Sequence, residues 1–426
     1  MFRSVVLATL FVLSVSAGYS SGTTQQAFSD DGAWCWFQDP RAVYVEGKHK
    51  QTYAQWMTRD GTLRVGSYDH KTGQCQAHTL KEKWGADDHN VGSFLVLPDK
   101  RLMVFYATHG GAGLYCRTSK NPEDISQWED EVTVVGGRGV TYSHPVYLSS
   151  EKMFYVFWRG PTRKPTYSTS RDGKVWGEPR VLIQEKDRKG NERPYVKIVS
   201  DGKSSIHFAF TDSHPLSEPT NSIYYLRYEK GAFYMADGAK VGSMDSLPIQ
   251  HSESDLVYDA APTKARTWVW DIALDKAGRP VILYTRMPSE TDHRYHYARW
   301  TGKEWLDTEL CAAGRWFPQT PEGKKETEPW YSGGMCLNHS NPSVVYLSRQ
   351  VNGVFEIEKW TTRDGGKIWV SVPITKGSKN LNVRPVAPRG YAGKYDHLLW
   401  MHGAYTHFTD YRTGIMMLAG PPMGES

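Results

Sequence analysis

Three features of the sequence predict an all-β fold made of repeated four-stranded units. Aromatic residues make up 13% of the 426-residue chain, and 39 glycines and 23 prolines supply frequent turns. This composition favours short strands over long helices. Apolar runs are separated by Asp-Gly or glycine-rich turns, which is the pattern of consecutive hairpins. A loose aromatic motif also recurs about every 50 to 70 residues, near the spacing of propeller blades.

The repeated motif consists of a short polar turn that ends in an aromatic residue. It ends at Trp128, Trp176, Tyr234, Trp305 and Trp369. An early unit at residues 68–76 and a final unit ending near Leu418 bring the number of units to seven. The sequence therefore predicts a seven-bladed β-propeller, and we expect residues 19–426 to form this one domain.

Two of these units contain a turn that looks like the Asp box of sialidase-type propellers. The turns read SRDGKVW at 170–176 and TRDGGKIW at 362–369. In such a turn the Asp side chain accepts backbone N–H groups, and the Trp packs between blades. The motif is structural, so it indicates a propeller and not a sialidase.

The N-terminal residues 1–18 have the layout of a secretory signal. Arg3 supplies the positive charge, residues 5–13 are apolar, and small residues follow at 14–18. The apolar part is too short to span a bilayer comfortably, so a membrane anchor is the weaker interpretation. We expect a secreted or periplasmic protein with no membrane span.

Charge and cysteine content limit the classes of partner. The net charge is only +5, with Lys and Arg scattered among Asp and Glu, which argues against a nucleic-acid surface. The five cysteines are Cys35, Cys75, Cys116, Cys311 and Cys336. Because their number is odd, at least one is free, metal-bound or paired outside the chain. We expect most of the cysteines to be small buried side chains, with room for one or two disulfide bridges. We also expect the protein to be a monomer.

Four residues between Trp84 and Gly160 could carry chemistry. They are His89, His109, Tyr142 and Arg159, and each stands beside a turn-forming or small residue at the end of an apolar run. Together an imidazole, a phenol and a guanidinium can move a proton and hold an anion without a metal. A lone histidine is more often structural, and the guanidinium could instead pair with an internal carboxylate. The combination favours elimination on an acidic sugar.

Several longer motifs resemble the BNR-repeat propellers, a group that includes ulvan lyases and L-rhamnose-α-1,4-D-glucuronate lyases. These motifs are WCWFQDPRAV at 34–43, DDHN at 87–90, ATHGG at 107–111, TYSHP at 141–145, FWRG at 157–160, RPYVKIVSDG at 193–202 and IHFAFTDSHP at 206–215. The resemblance covers most of the mature chain and is densest in its first half. It implies a lyase that cuts the bond between a rhamnose and C4 of a uronate in a uronic-acid polysaccharide.

The resemblance also implies roles for the four residues. His89 or His109 would be the base, Tyr142 the acid, and Arg159 the group that neutralises the uronate carboxylate. Tyr147 and Tyr155 are alternatives to Tyr142.

Further residues in or near these motifs are candidates for binding. The candidate sugar contacts are Asn90, Arg193, Tyr195, Lys197 and Trp270. No cofactor is expected for the chemistry, but relatives of this type can carry a structural zinc, and zinc or calcium remains an option here. The candidate metal ligands are His214, Cys336 and His339, and plain packing is the alternative explanation for them.

Two other functions stay open at this point. A sialidase-like glycoside hydrolase would need carboxylates facing the scissile bond. The available acids are Asp39, Asp87, Asp88 and Asp271. A propeller that binds glycans without turning them over is the other alternative. The sequence leaves undecided which uronate glycan is cut, whether cutting is endo or exo, and which histidine is the base.

Overall fold

The computed structural model describes residues 22–185 and 192–423, so the predicted signal at 1–18 lies outside the described residues. The strands are β1 (Thr24–Ser29), β2 (Ala42–Glu46), β3 (Lys50–Met57), β4 (Leu63–Asp69), β5 (Cys75–Lys81), β6 (Ser93–Val96), β7 (Leu102–Tyr106), β8 (Gly111–Thr118), β9 (Val132–Leu148) and β10 (Met153–Arg159). They continue with β11 (Pro165–Ser170), β12 (Arg180–Val181), β13 (Val196–Ser200), β14 (Ser205–Thr211), β15 (Ile223–Glu229), β16 (Ala232–Tyr234), β17 (Lys240–Ser243), β18 (Asp255–Tyr258), β19 (Arg266–Leu274) and β20 (Pro280–Ser289). The last are β21 (Asp292–Trp300), β22 (Trp305–Gly314), β23 (Met335–Leu337), β24 (Val344–Val351), β25 (Val354–Thr362), β26 (Trp369–Pro373), β27 (Leu381–Val386), β28 (Leu398–His407) and β29 (Asp410–Ala419).

Helix is confined, within the described ranges, to single 3-10 turns. These turns are Asp88–Asn90, Met244–Ser246 and His251–Glu253. None of the described helices is long or apolar enough to cross a membrane.

The strands of the described residues pair antiparallel into six hydrogen-bonded sheets. Four sheets have four strands each: β2 to β5, β19 to β22, β23 to β26, and β27 to β29 with β1. The strands β13 to β18 form a six-stranded sheet, and β6 to β12 form a seven-stranded sheet. Because β1 pairs with β29, from Thr24 opposite Ala419 onward, the first and last strands close the ring within one sheet. The predicted all-β propeller is confirmed.

The number of separate sheets differs from the prediction, because six are present and seven were expected. The reason is the 17-residue strand β9. Its first part pairs with β8, up to Val140 opposite Gly111. Its second part pairs with β10, from Thr141 opposite Arg159. One unbroken strand therefore joins two of the expected blades into a single sheet.

Burial along the strands follows their position in the sheets. The middle strands β7 and β14 are buried at every residue, because both of their faces lie between neighbouring sheets. The outer strand β5 is mostly exposed. The core therefore lies between the sheets and around the propeller axis.

An aromatic segment, residues 33–41, fills the axis of the propeller. Trp36 stacks on Trp270 of β19 at a ring distance of 4.4 Å. Phe37 packs against Tyr195 at 4.7 Å. Side chains of different sheets thus meet on one segment, which ties the ring together at its centre.

The two predicted Asp-box turns have the expected structure. Asp172 accepts two backbone N–H groups at 2.9 Å. Trp176 lies edge-on to Phe105 of β7, with ring centroids 5.7 Å apart. The turn at 362–369 repeats this arrangement against an aromatic ring of the preceding sheet. The prediction of a structural role is confirmed.

All five cysteines lie in the described residues and are free. Cys75 is exposed and Cys311 is half-buried, whereas the other three are buried. The bridges that the sequence allowed are not formed, so the fold depends on packing and hydrogen bonds instead.

Two buried histidines connect the first sheet to the last. The Thr52 hydroxyl lies 2.9 Å from Nε2 of His70 and 2.7 Å from Nε2 of His397. Burial lowers the pKa of His70 to about 4 and the pKa of His397 to about 3. Both rings are therefore neutral in the folded protein near neutral pH.

We expect this pair to make the fold sensitive to acid. An unfolded histidine takes up a proton near pH ~6.5, but buried His70 does so only near its pKa of about 4. Stability present above pH ~6.5 is therefore lost as pH falls toward 4, by about 2 kcal/mol for His70 at pH ~5. Urea unfolding above pH ~6.5 and at pH ~5 should measure this loss of unfolding free energy. The loss should be smaller in His70→Asn than in the wild type. It should be unchanged in His49→Asn, which alters an exposed histidine. Equal pH dependence in all three proteins would contradict the assignment.

Candidate active site

Strand direction brings the four predicted chemical residues to one face of the propeller. His89 precedes β6 and His109 follows β7, which runs back antiparallel to it. Tyr142 begins the second part of β9, and Arg159 ends β10 opposite Thr141. In antiparallel neighbours the start of one strand and the end of the next lie at the same edge. We call this edge the active-site face.

The two histidines form a stacked pair held by one carboxylate. Their ring centroids lie 4.1 Å apart at an interplanar angle of 7°. Asp87 places Oδ1 2.8 Å from Nδ1 of His89 and Oδ2 3.1 Å from Nδ1 of His109. No hydrogen bond of the described residues uses Nε2 of either ring. Each Nε2 atom is thus left for a ligand.

The pair divides into a charged and a neutral ring. Burial disfavours a charge on His89, but the Asp87 and Asp88 carboxylates beside it help to raise its pKa well above the ordinary value. Burial and the neighbouring His89 lower the pKa of His109. The His109 side chain is also 32% exposed, against 8% for His89. His109 is therefore the neutral and more accessible ring of the pair.

Tyr142 lies beside both the histidine pair and the arginine. Its ring centroid is 5.8 Å from that of His89, and the Arg159 guanidinium carbon lies 4.7 Å from the ring centroid. Its φ of 63° is unusual for an aromatic residue and marks the corner where β9 passes between blades. Burial raises the pKa of Tyr142 well above its usual range, so its hydroxyl keeps its proton.

Arg159 is held by neutral groups alone. Nη1 donates to the Tyr195 hydroxyl at 3.0 Å, and Nη2 donates to Thr141 Oγ1 at 3.1 Å. Nε is buried without a partner. No carboxylate in the described part of the chain pairs with this guanidinium, so the internal ion pair considered above is not formed. The site thus contains a guanidinium whose hydrogen-bond partners among the described residues are neutral.

A second carboxylate, that of Asp88, holds the 3-10 turn Asp88–Asn90 in place, and we call this turn the histidine turn. Asp88 Oδ2 accepts from Arg384 Nη1 at 2.5 Å and from the Tyr405 hydroxyl at 2.6 Å. Asp88 Oδ1 lies 2.9 Å from Nδ1 of His89. Asp88 and Arg384 are almost fully buried, and Arg384 belongs to β27 of the closing sheet. The ion pair therefore anchors the histidine turn across the ring.

Three of the predicted sugar-binding residues lie near this face. Asn90 Oδ1 accepts from the His109 backbone N–H at 2.7 Å, so Asn90 positions the histidine loop. Tyr195 holds Arg159 in place. Arg193 is half-buried, and its Nη2 donates to Ser217 Oγ at 2.7 Å.

The other two predicted sugar contacts are not available to a ligand. Lys197 is fully buried and pairs with Asp39 beneath the site. Trp270 is 2% exposed and stacks on Trp36 in the axis. Both residues belong to the core, so their role is structural.

The predicted metal ligands are not brought together. Nε2 of His214 lies 3.2 Å from the Tyr331 hydroxyl on the active-site face, whereas Nε2 of His339 lies 3.1 Å from Asp271. Cys336 is buried. Among the described residues, two other groups place three possible ligand atoms within 4.8 Å of one another. The first group is Asp87, His89 and His109, and the second is Cys35, Asp88 and His89. A metal held by His214, Cys336 and His339 together does not fit this arrangement.

Each acid considered for hydrolysis is already engaged. Asp87 and Asp88 hold the histidine turn, as described above. Asp39 pairs with Lys197 and Arg41, and Asp271 lies beside His339. These partners leave none of the four carboxylates free to face Arg159.

Sequence reasoning missed Asp87 as the link between the histidines, and it missed Phe408. The Phe408 ring lies edge-on to His89 at 5.0 Å and to His109 at 5.6 Å. The DDHN motif could have indicated Asp87, because an Asp two residues before a histidine can bond its backbone N–H. Phe408 is far away in sequence, and no local signal points to it.

The chain matches a family model described as "BNR repeat-containing family member" over residues 51–313. It is 23% identical over 333 residues to a protein called Ulvan Lyase-PL25 from Pseudoalteromonas sp. (strain PLSV), covering 66% of this chain and 65% of that protein. It is also 23% identical over 321 residues to an ulvan lyase from Alteromonas sp. (strain LOR), covering 63% of each. The chain thus spans somewhat less than two thirds of these relatives.

Solved structures share the fold. The structure of a PL25 ulvan lyase bound to -[GlcA(1-4)Rha3S]- superposes with a TM-score of 0.71 at 18% identity, covering 94% of this chain and 97% of that one. The polysaccharide lyase Uly1 superposes with a TM-score of 0.60 at 11% identity, covering 93% and 98%. At these identities the likeness establishes the architecture.

We expect loss of the buried Asp88 charge to destabilise the protein strongly. Asp88→Asn leaves the Arg384 guanidinium without its counter-charge, and breaking such a pair typically costs about 3–5 kcal/mol. The matched control is Asp31→Asn, since Asp31 pairs with Arg59 at the surface and should cost under ~1 kcal/mol. Urea unfolding of both variants measures the difference. Equal losses would show that the buried pair has no special role.

Proposed function

Because this chain belongs to the BNR repeat-containing family, we propose that it is a polysaccharide lyase that cleaves a rhamnose–uronate linkage by β-elimination. The observation that carries the proposal is the Arg159 guanidinium, which has no carboxylate partner in the described residues and lies beside Tyr142 and the histidine pair. A uronate carboxylate is an anion of suitable shape for this guanidinium.

The first step is removal of the proton on C5 of the uronate. This proton is barely acidic while the neighbouring carboxylate keeps its full charge, so Arg159 must stabilise the enolate that forms. His109 takes the proton on Nε2, because its ring is neutral and accessible. Asp87 accepts the hydrogen on Nδ1 and so keeps the lone pair on Nε2. Asp87 acts as a positioning residue.

The second step is departure of the oxygen on C4. The electron pair left on C5 forms the C4–C5 double bond, and the bond between C4 and the glycosidic oxygen breaks. Tyr142 donates its proton to that oxygen. The positive charges of His89 and Arg159 favour the phenolate that remains. The products are a new sugar hydroxyl and an unsaturated uronate, and no water is consumed.

The proposed substrate is a polysaccharide or oligosaccharide that contains uronic acid next to rhamnose. The names of the two relatives, and the glucuronate–rhamnose ligand bound in the PL25 structure, support this substrate class. The signal-like residues 1–18 support secretion or export to the periplasm. We propose no cofactor for the chemistry.

We also propose that the propeller has seven blades in one domain of residues 19–426. The proposal divides the seven-stranded sheet within β9, between Val140 and Thr141. Separate pairing of the two parts of β9, with β8 and with β10, supports this division. The described residues then contain seven units around the axial segment 33–41, six of them with four strands and one, β13 to β18, with six.

Arg159→Ala should lower turnover by about 10²–10³, because one donor that stabilises the developing oxyanion is lost. The assay follows the absorbance of the unsaturated product on a panel of uronate polysaccharides. Arg171→Ala is the matched control, since Arg171 is exposed in an Asp-box turn. If the wild type cleaves these polymers without forming an unsaturated product, elimination is wrong. If Arg159→Ala keeps full activity, the role of Arg159 is wrong.

The acid side of the pH profile should report His109. A base must be unprotonated, and the pKa of His109 is lowered from 6.5, so kcat/KM should fall only as pH drops below ~6.5. His109→Ala should lose about 10²–10⁴ in rate and lose this acid limb. His49→Ala, at an exposed position, should leave the profile unchanged. An acid limb centred above pH ~7 would instead favour His89, whose pKa is raised.

A further inference from the structure

The propeller axis contains a buried group of charges below the candidate active site. Lys197 of β13 and Arg41 both pair with Asp39 of the axial segment, the latter at 3.1 Å. Arg389 approaches the same carboxylate at 4.0 Å. Arg41 is 2% exposed and Lys197 is fully buried. Three cations therefore surround one carboxylate.

The nearby carboxylate of Asp271 does not balance these charges. Its Oδ1 accepts from the backbone N–H of Ile272 at 2.8 Å, and its Oδ2 accepts from the backbone N–H of Leu337 at 2.9 Å. Both oxygens also lie within 3.2 Å of Nε2 of His339. Even with Asp271 counted, the described axial groups hold one cation more than carboxylates.

Two polar atoms in this region have no partner among the described residues. They are Nη1 of Arg41 and Nδ1 of His144. His144 lies close enough to the axial charges for them to act on it, and burial with nearby Lys197 lowers its pKa to about 3. A neutral imidazole can present an N–H group to an acceptor. Unpaired donors of this kind are costly when buried, so an acceptor is expected beside them.

A cavity on the face opposite the active-site face reaches this charge group at Arg389. Its volume is about 840 Å³, and its lining includes Arg389, His339, Lys100 and Lys276. The amino groups of Lys100 and Lys276 have no partner within the described ranges. Two carboxylates also line the cavity: Asp201 accepts three backbone N–H groups of its own turn, and Asp275 pairs with Arg299 at 3.4 Å. The cavity is therefore positively charged at its rim and at its inner end.

We propose that this axial cavity binds a small inorganic anion, of the halide or sulfate class, between Arg389 and the buried Arg41. The anion balances the excess cation and accepts from the unpaired donors. The site lies on the far side of the axial segment from Arg159, so it does not depend on the proposed lyase activity.

The direct test is anomalous diffraction from crystals of the full chain soaked in sodium bromide, with a sulfate-grown crystal as the second arm. We expect a bromide or sulfate peak in the axial cavity within hydrogen-bond distance of Arg389. Water alone at that place, or anions bound only at the exposed amino groups of Lys100 and Lys276, would overturn the proposal.

Thermal unfolding gives an independent measurement in solution. At constant ionic strength, chloride or sulfate should raise the melting temperature by about 2 °C or more over gluconate, a bulkier organic anion outside the proposed ligand class. Arg389→Gln should abolish this anion dependence. The control Arg59→Gln changes an arginine of an exposed pair and should retain it. Equal melting temperatures of the wild type in all three salts would argue against the site, whatever the activity of the enzyme.

Discussion

The central constraint on this fold is that the axis of the propeller must be filled. Inner strands of different sheets converge there, and without side chains between them their apolar faces would remain in water. The segment 33–41 occupies this space, with Trp36 stacked on Trp270 and Phe37 packed against Tyr195 and Tyr142. Because one segment touches inner strands from several sheets, it also sets where the ends of those strands lie.

The chemistry of the active-site face depends on this positioning through buried carboxylates. Asp88 connects the histidine turn to Arg384 across the ring, so the turn is fixed by the closing sheet and not by local structure alone. Asp87 then holds two imidazoles in parallel. Two rings at 4.1 Å do not both carry a charge easily. The more buried His89, nearer to the carboxylates, holds the proton and leaves His109 neutral.

Much of the architecture could be predicted from local sequence, but depth along a strand could not. The Asp-box turns and the aromatic repeat are local patterns, and they predicted strands and turns correctly. Tyr195 and Lys197 share one face of β13 and its approach, because strand side chains alternate. Two residues further along a strand, however, is about 6–7 Å deeper in the propeller. Tyr195 therefore reaches Arg159, whereas Lys197 lies in the buried charge group.

The predicted number of separate sheets was wrong for a similar reason. A repeat in the sequence counts units, whereas hydrogen bonds decide where one sheet ends and the next begins. Strand β9 has apolar and β-branched residues on both sides of Gly136 and Gly139, so nothing in its pattern interrupts the pairing. Tyr142 with its φ of 63° marks the corner inside it, and a positive φ at a tyrosine cannot be read from residue type.

Counter-charges distinguish the two kinds of cation in this protein. Arg384 has a full structural partner in Asp88, and its replacement would cost stability without any ligand being involved. Within the described residues, Arg159 has a phenol and a hydroxyl as its partners, which orient the guanidinium but leave its charge uncompensated. Folding tolerates the uncompensated charge because Arg159 lies at the active-site face, where water can solvate the guanidinium until an anion binds. An arginine that neutral donors and acceptors hold in place, at the edge of a rigid ring, is therefore better explained by binding than by folding.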